Sequence, residues 1–145
     1  MRSLFALLVF ALFSTFGLTG KAAASEAEVK AAYAAWDAAF AKADAKAIAA
    51  FYTADAVLLP PTHDVLKGPA GVETFFAGLF AGGVTGHKLE LIEMSGDDKV
   101  IVGAAKWSAQ GKDSKGAPAA FGGIATHEFV RQADGSLKLR LHTFN

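Results

Sequence analysis

The chain has 145 residues, 52% hydrophobic and 19% charged, a make-up that suits one globular domain and leaves little room for two. Fourteen basic residues balance fourteen acidic ones, so no net positive field is present to hold a nucleic-acid backbone. The absence of cysteine excludes disulfides, thiolate metal sites, thiol nucleophiles and cysteine-ligated iron–sulfur clusters.

In chain order, Arg2 precedes an unbroken apolar run, Leu4–Phe13, which is followed by Ser14, Thr15, Gly17 and Gly20 and then by Ala22, Ala23 and Ala24. That order is a secretory signal peptide's, and the run is about half of the ~20 residues that a membrane-spanning helix needs. Cleavage after Ala24 predicts a periplasmic or secreted domain, residues 25–145, with no membrane attachment. Losing Arg2 and Lys21 lowers the basic count from 14 to 12 against 14 acidic residues.

Ser25 and Glu28 form an S-x-x-E capping box, and Val29, Tyr33, Trp36 and Phe40 then recur at helical spacing, with Glu26, Lys30 and Asp37 on the polar side. Asp44 is placed to cap a second short helix carrying Ile48, Phe51 and Tyr52 and ending near Thr53, before an apolar strand Ala56–Leu59 that Pro60 and Pro61 stop. Thr62, His63 and Asp64 read as a turn. Gly68 and Pro69 open a third helix, which Gly82, Gly83 and Gly86 close. Four strands follow, His87–Met94, Lys99–Ala109, Phe121–Gln132 and Leu137–Phe144, separated by turn signals at Gly96-Asp97, Gly111–Gly116 and Asp134-Gly135. Three helices ahead of an antiparallel meander predict an α+β domain with the helices covering one face of the sheet.

Trp36 to Phe40, Ala43-Asp44, Phe51-Tyr52, Asp55-Ala56-Val57, Pro60-Pro61, Gly68, Val72 and the ending Arg131 to Asn145 together resemble the ketosteroid-isomerase-like superfamily, which includes the nuclear transport factor 2-like and SnoaL-like polyketide cyclase domains. The resemblance implies a cone in which three helices close over a strongly curved, mostly antiparallel sheet, with a deep apolar cavity and, commonly, a homodimer. It implies no single activity, because isomerases, cyclases, dehydratases, hydrolases and non-catalytic proteins share the fold. The steroid isomerases' catalytic aspartate falls at Pro60, their donor tyrosine at Trp36 and their protonated aspartate near His127. A proline cannot take a proton, so steroid isomerisation is not expected.

A two-residue turn at Asp134-Gly135 sets Arg131 opposite Lys138, Phe129 opposite Arg140 and His127 opposite His142. His127 and His142 are therefore candidate proton-transfer residues, against the blander reading of two partly exposed histidines on a polar face. If the alternate face of Val130, Leu137, Leu139 and Leu141 packs on the helices, the histidines point outward or into a dimer interface. No metal site or cofactor is expected, because Glu128 points away from the pair and His63 lies on a distant loop. Tyr33, Trp36, Phe40, Tyr52, Trp107 and Phe144 are candidate wall residues for a small apolar or aromatic ligand, with His63 at the rim. Binding with or without turnover stays open. The alternative is an interaction or structural dimer module presenting Arg131, Lys138 and Arg140 on the outer sheet face.

Overall fold

The first helix, α1 (Glu26–Ala41), begins at the capping box: Ser25 Oγ accepts from the Glu28 amide at 3.3 Å and Glu28 Oε2 accepts from the Ser25 amide at 2.9 Å. Its apolar stripe buries Val29, Tyr33, Trp36, Ala39 and Phe40. Asp44 Oδ1 caps α2 (Ala45–Ala49) through the Ala47 amide at 2.8 Å. The computed structural model describes residues 25–145, so the expected export segment lies outside the described residues. Among the described residues no helix is long and apolar enough to cross a membrane.

The second helix is shorter than its pattern implies. It ends at Ala49, and Tyr52 opens strand β1 (Tyr52–Leu59) instead of closing a helix. The reason is tertiary: Tyr52 pairs with Leu139 in a parallel ladder, and the Leu139 amide donates to the Phe51 carbonyl at 2.8 Å. A short β2 (Leu66–Lys67), not expected from the sequence, folds back on β1 and leads into α3 (Gly68–Ala81). Pro69 sits in the first turn of α3, and Gly83, at φ +82°, ends it.

The remaining strands are β3 (Thr85–Gly96), β4 (Val100–Lys112), β5 (Pro118–Arg131) and β6 (Leu137–Phe144). They pair antiparallel as a meander, and the six-stranded order is β2-β1-β6-β5-β4-β3. Bulges in β1, β3 and β6 curve the sheet so that one face wraps the helices. The core lies in that concavity, built from Val29, Ile48, Leu58, Val72, Ile101, Phe129 and Leu139. The architecture is the α+β cone that the resemblance implies.

Two local details correct the sequence register. The last hairpin closes with Gln132 opposite Ser136 and Gly135 at φ +88°, so three residues form the loop, and Arg131 pairs with Leu137 and not with Lys138. One extra residue on β6, Arg140, then restores the expected register, and His127 does pair with His142. The bulge also resets which side chains face inward: Leu137 and Leu139 before it, His142 and Phe144 after it, while Leu141 moves to the outer side opposite Glu128. The histidines therefore point into the concavity, not outward, at 1% and 5% exposure.

Candidate functional site

The curved sheet does not close fully on the helices. A cavity of about 250 Å³ remains between them, lined by Phe40 of α1, Phe75, Phe76 and Leu79 of α3, His87 and Leu89 of β3, Trp107 and Ala109 of β4, Phe121 and Ala125 of β5 and Phe144 of β6. Exposed Pro61, Thr62 and Phe121 mark its mouth. Small residues help make the space: Ala109 and Ala125, both buried, line it with a single methyl each.

His87 is the one titratable side chain among the described residues that line this cavity. Its Nδ1 lies 2.8 Å from Asp37 Oδ1, while Asp37 Oδ2 accepts from the Leu89 amide at 3.0 Å. Both carboxylate oxygens are thus engaged on β3, and the pair is largely enclosed, with side-chain exposures of 10% and 21%. Ring neighbours hold the imidazole plane: Trp36 and Phe40 each at 4.8 Å between centroids, and Trp107 nearly parallel at 6.2 Å and 9°. In the neutral imidazole, an Nδ1–H donated to Asp37 leaves the lone pair on Nε2. A carboxylate that orients an imidazole in this way fixes the tautomer and balances the charge the ring gains on protonation.

His127 and His142 lie beneath this site, with ring centroids 4.4 Å apart. Tyr33 Oη is 3.0 Å from His127 Nδ1 and Tyr52 Oη is 2.7 Å from His142 Nδ1. Burial pushes both phenols well above their ordinary range. Burial, and then the proximity of His87, hold His127 down at about 3, while burial followed by His127 and His87 holds His142 well below the usual histidine range. The two histidines are neutral, and neither lines the cavity. Each Nδ1 is engaged by a tyrosine hydroxyl, and both rings are buried behind the cavity wall.

The aromatic candidates divide. Phe40, Trp107 and Phe144 stand on the cavity wall. Trp36 and Tyr52 are 3% and 1% exposed and belong to the core behind it. Trp36 Nε1 is buried without a hydrogen-bond partner, close enough to Tyr52 Oη to favour the ionised phenol slightly against its burial. Tyr33 and His127 border a void of about 10 Å³, one water in size. His63, at φ +65°, lines an open depression outside the cavity with Asp64, Phe144 and Asn145. Among the described residues no group of three or more metal-ligating side chains comes together. Arg131 does not serve an outer face: it turns inward to Glu28 Oε1, the Asp98 carbonyl and the Gly135 carbonyl.

Sequence reasoning missed Asp37 and His87, although a signal for each was present. Asp37 falls four residues after Tyr33 and three before Phe40, on the edge of the apolar stripe and not opposite it. His87 shares its inward parity with Leu89 and Leu91.

The SnoaL-like domain family model matches residues 29–139, and the chain belongs to that family. Among solved structures it is similar to a ketosteroid isomerase-like protein of Erwinia carotovora atroseptica, with a TM-score of 0.71 and 21% identity over 81% of this chain and 92% of that one. It is also similar to Aln2 of a Streptomyces species, with a TM-score of 0.67 and 21% identity over 82% and 88%. A third likeness is an NTF2-like protein with a cystatin-like fold from Novosphingobium aromaticivorans, with a TM-score of 0.67 and 15% identity over 81% and 79%. At these identities the likeness is one of fold. No curated protein sequence matches the chain.

Proposed function

We propose that the chain holds a flat, mostly apolar molecule in this cavity and that the His87–Asp37 pair exchanges a proton with a hydroxyl or enolisable carbonyl of that molecule. The observation that carries the reading is a single titratable group, backed by a carboxylate, on an otherwise almost wholly apolar wall. Members of this family and its ketosteroid-isomerase-like neighbours are often isomerases or cyclases, which is chemistry of that kind. In the proposed step Nε2 of His87 takes the substrate proton, Nδ1 keeps its own proton in a hydrogen bond accepted by Asp37, and the proton on Nε2 returns to another atom of the same ligand. Export and a homodimer form part of the proposal, supported by the apolar run after Arg2 and by the family resemblance.

Size narrows the ligand. An apolar cavity of about 150 Å³ takes up one benzene ring, so about 250 Å³ corresponds to roughly ten non-hydrogen atoms, the size of a bicyclic aromatic.

The test uses 2-naphthol and thermal unfolding. A ligand at about 100 times its Kd stabilises the folded state by about 2.7 kcal/mol, so the native Tm should rise with naphthol concentration. Ala109→Phe fills the cavity and should abolish the rise. A native chain that does not respond, or an Ala109→Phe chain that responds equally, contradicts the proposal.

A further inference from the structure

Resting on the cavity reading above, we infer that Asn145 is a positioning residue: it fixes Trp107 as the wall that admits two-ring, but not merely one-ring, planar ligands with full affinity. Trp107 Nε1 donates to the Asn145 main-chain oxygen at 3.1 Å. Asn145 is itself tied to β5 twice, its Oδ1 accepting from the Ile124 amide at 2.8 Å and its own amide donating to the Ile124 carbonyl at 3.2 Å. The side-chain bond fixes the residue beyond the last ladder pair of β6, Ala125 with Phe144.

Gly123 makes this seat. A Cβ there would stand 2.3 Å from the Asn145 oxygen, 2.6 Å from its Oδ1 and 2.9 Å from Trp107 Nε1, so the tryptophan and the asparagine meet only because the strand beneath them is bare. The neighbouring Gly122 is constrained in the same way, 2.9 Å from the Trp107 carbonyl. Held so, the indole plane lies parallel to His87 and meets Phe144 edge-on at 5.6 Å and 84°. All three residues line the cavity. Without the anchor the indole is free to leave its rotamer, and the parallel surface beside His87 is lost. A ligand long enough to reach Trp107 loses contact area, whereas a single ring lodged deeper against Phe40 and Phe76 does not.

The chain contains two tryptophans, so protein grown with 5-fluorotryptophan gives two fluorine NMR signals, and buried Trp36 serves as the internal control for folding. Asn145→Ala should move the Trp107 signal, leave that of Trp36 in place, and weaken 2-naphthol about tenfold while phenol changes less than about twofold. Asn145→Asp, which keeps the Oδ1 acceptor, should preserve both signals and the naphthol affinity. Gly123→Ala displaces Asn145 from the other side and should reproduce the Trp107 shift. An unmoved Trp107 signal in Asn145→Ala, or equal losses for phenol and naphthol, overturns the inference. If the native chain binds neither compound, the cavity reading fails and the selectivity falls with it, while the fluorine signals still decide whether Asn145 positions Trp107.

Discussion

Tyr33 and Tyr52 keep their protons because burial raises both phenols, so each contact joins a neutral phenol to the Nδ1 of a neutral imidazole. A neutral histidine that accepts at Nδ1 carries its proton at Nε2, and one that donates there leaves Nε2 bare, so the direction of each bond and the tautomer of its ring are one question. Removing one hydroxyl leaves a buried imidazole nitrogen without a partner. Tyr52→Phe should therefore cost about 1–3 kcal/mol of stability in urea unfolding, with the fold retained. A variant as stable as the native chain would show that the hydroxyl contributes nothing net.

At the level of elements, the bulge at Arg140 decides what the sheet presents to the helices. Arg140 is the additional residue between the Phe129–Leu139 and Glu128–Leu141 pairs, and its side chain reaches Glu128 on the outer face. Deleting it leaves an unbroken alternation in which Leu139 and His142 still face inward. We expect the Arg140 deletion to fold cooperatively with a modestly lowered urea midpoint. Deleting Lys138 instead shifts Leu139 outward and drives Arg140 into the core or forces a new bulge, so its midpoint should fall far lower. The opposite order would show that the assigned bulge does not control facing.

The same element shows where sequence legibility ended. The capping box at Ser25, the stripe through Trp36 and the Pro69 start of α3 are set within a few residues, and those features are readable. A bulge depends on the count of residues on two strands at once, and a three-residue loop with Gly135 differs from a two-residue loop by one position. The two one-residue errors cancelled at His127 and His142, so the pairing was legible while its direction was not. Tyr52 was misplaced because its strand exists only through a partner 87 positions away, Leu139. Asp37 and His87 were passed over because a surface-type acid and a strand-end histidine become a pair only after the sheet curves.

Over the whole molecule, the buried histidines tie stability to pH. His127 is held down at about 3 and His142 well below its usual range, chiefly by burial, whereas both titrate near 6.5 when the chain is unfolded. Their contribution is complete above about pH 6.5 and falls as protons bind the unfolded chain preferentially below that value. Between pH 7 and 4.5, His127 alone should lose about 2–3 kcal/mol in urea unfolding, a window that lies above the ordinary range of Asp97 and Asp134, whose carboxyls are held low. Stability that stays flat across that interval would contradict the buried, neutral assignment.

The histidines also offer the most direct view of the site. A long-range proton–nitrogen NMR spectrum distinguishes the four imidazoles and reports which nitrogen of each carries the proton. Adding 2-naphthol should shift Nε2 of His87 while His127 and His142 stay neutral and unperturbed. Naphthol-dependent shifts at His127 and His142 with His87 silent would place the chemistry on the wrong histidines.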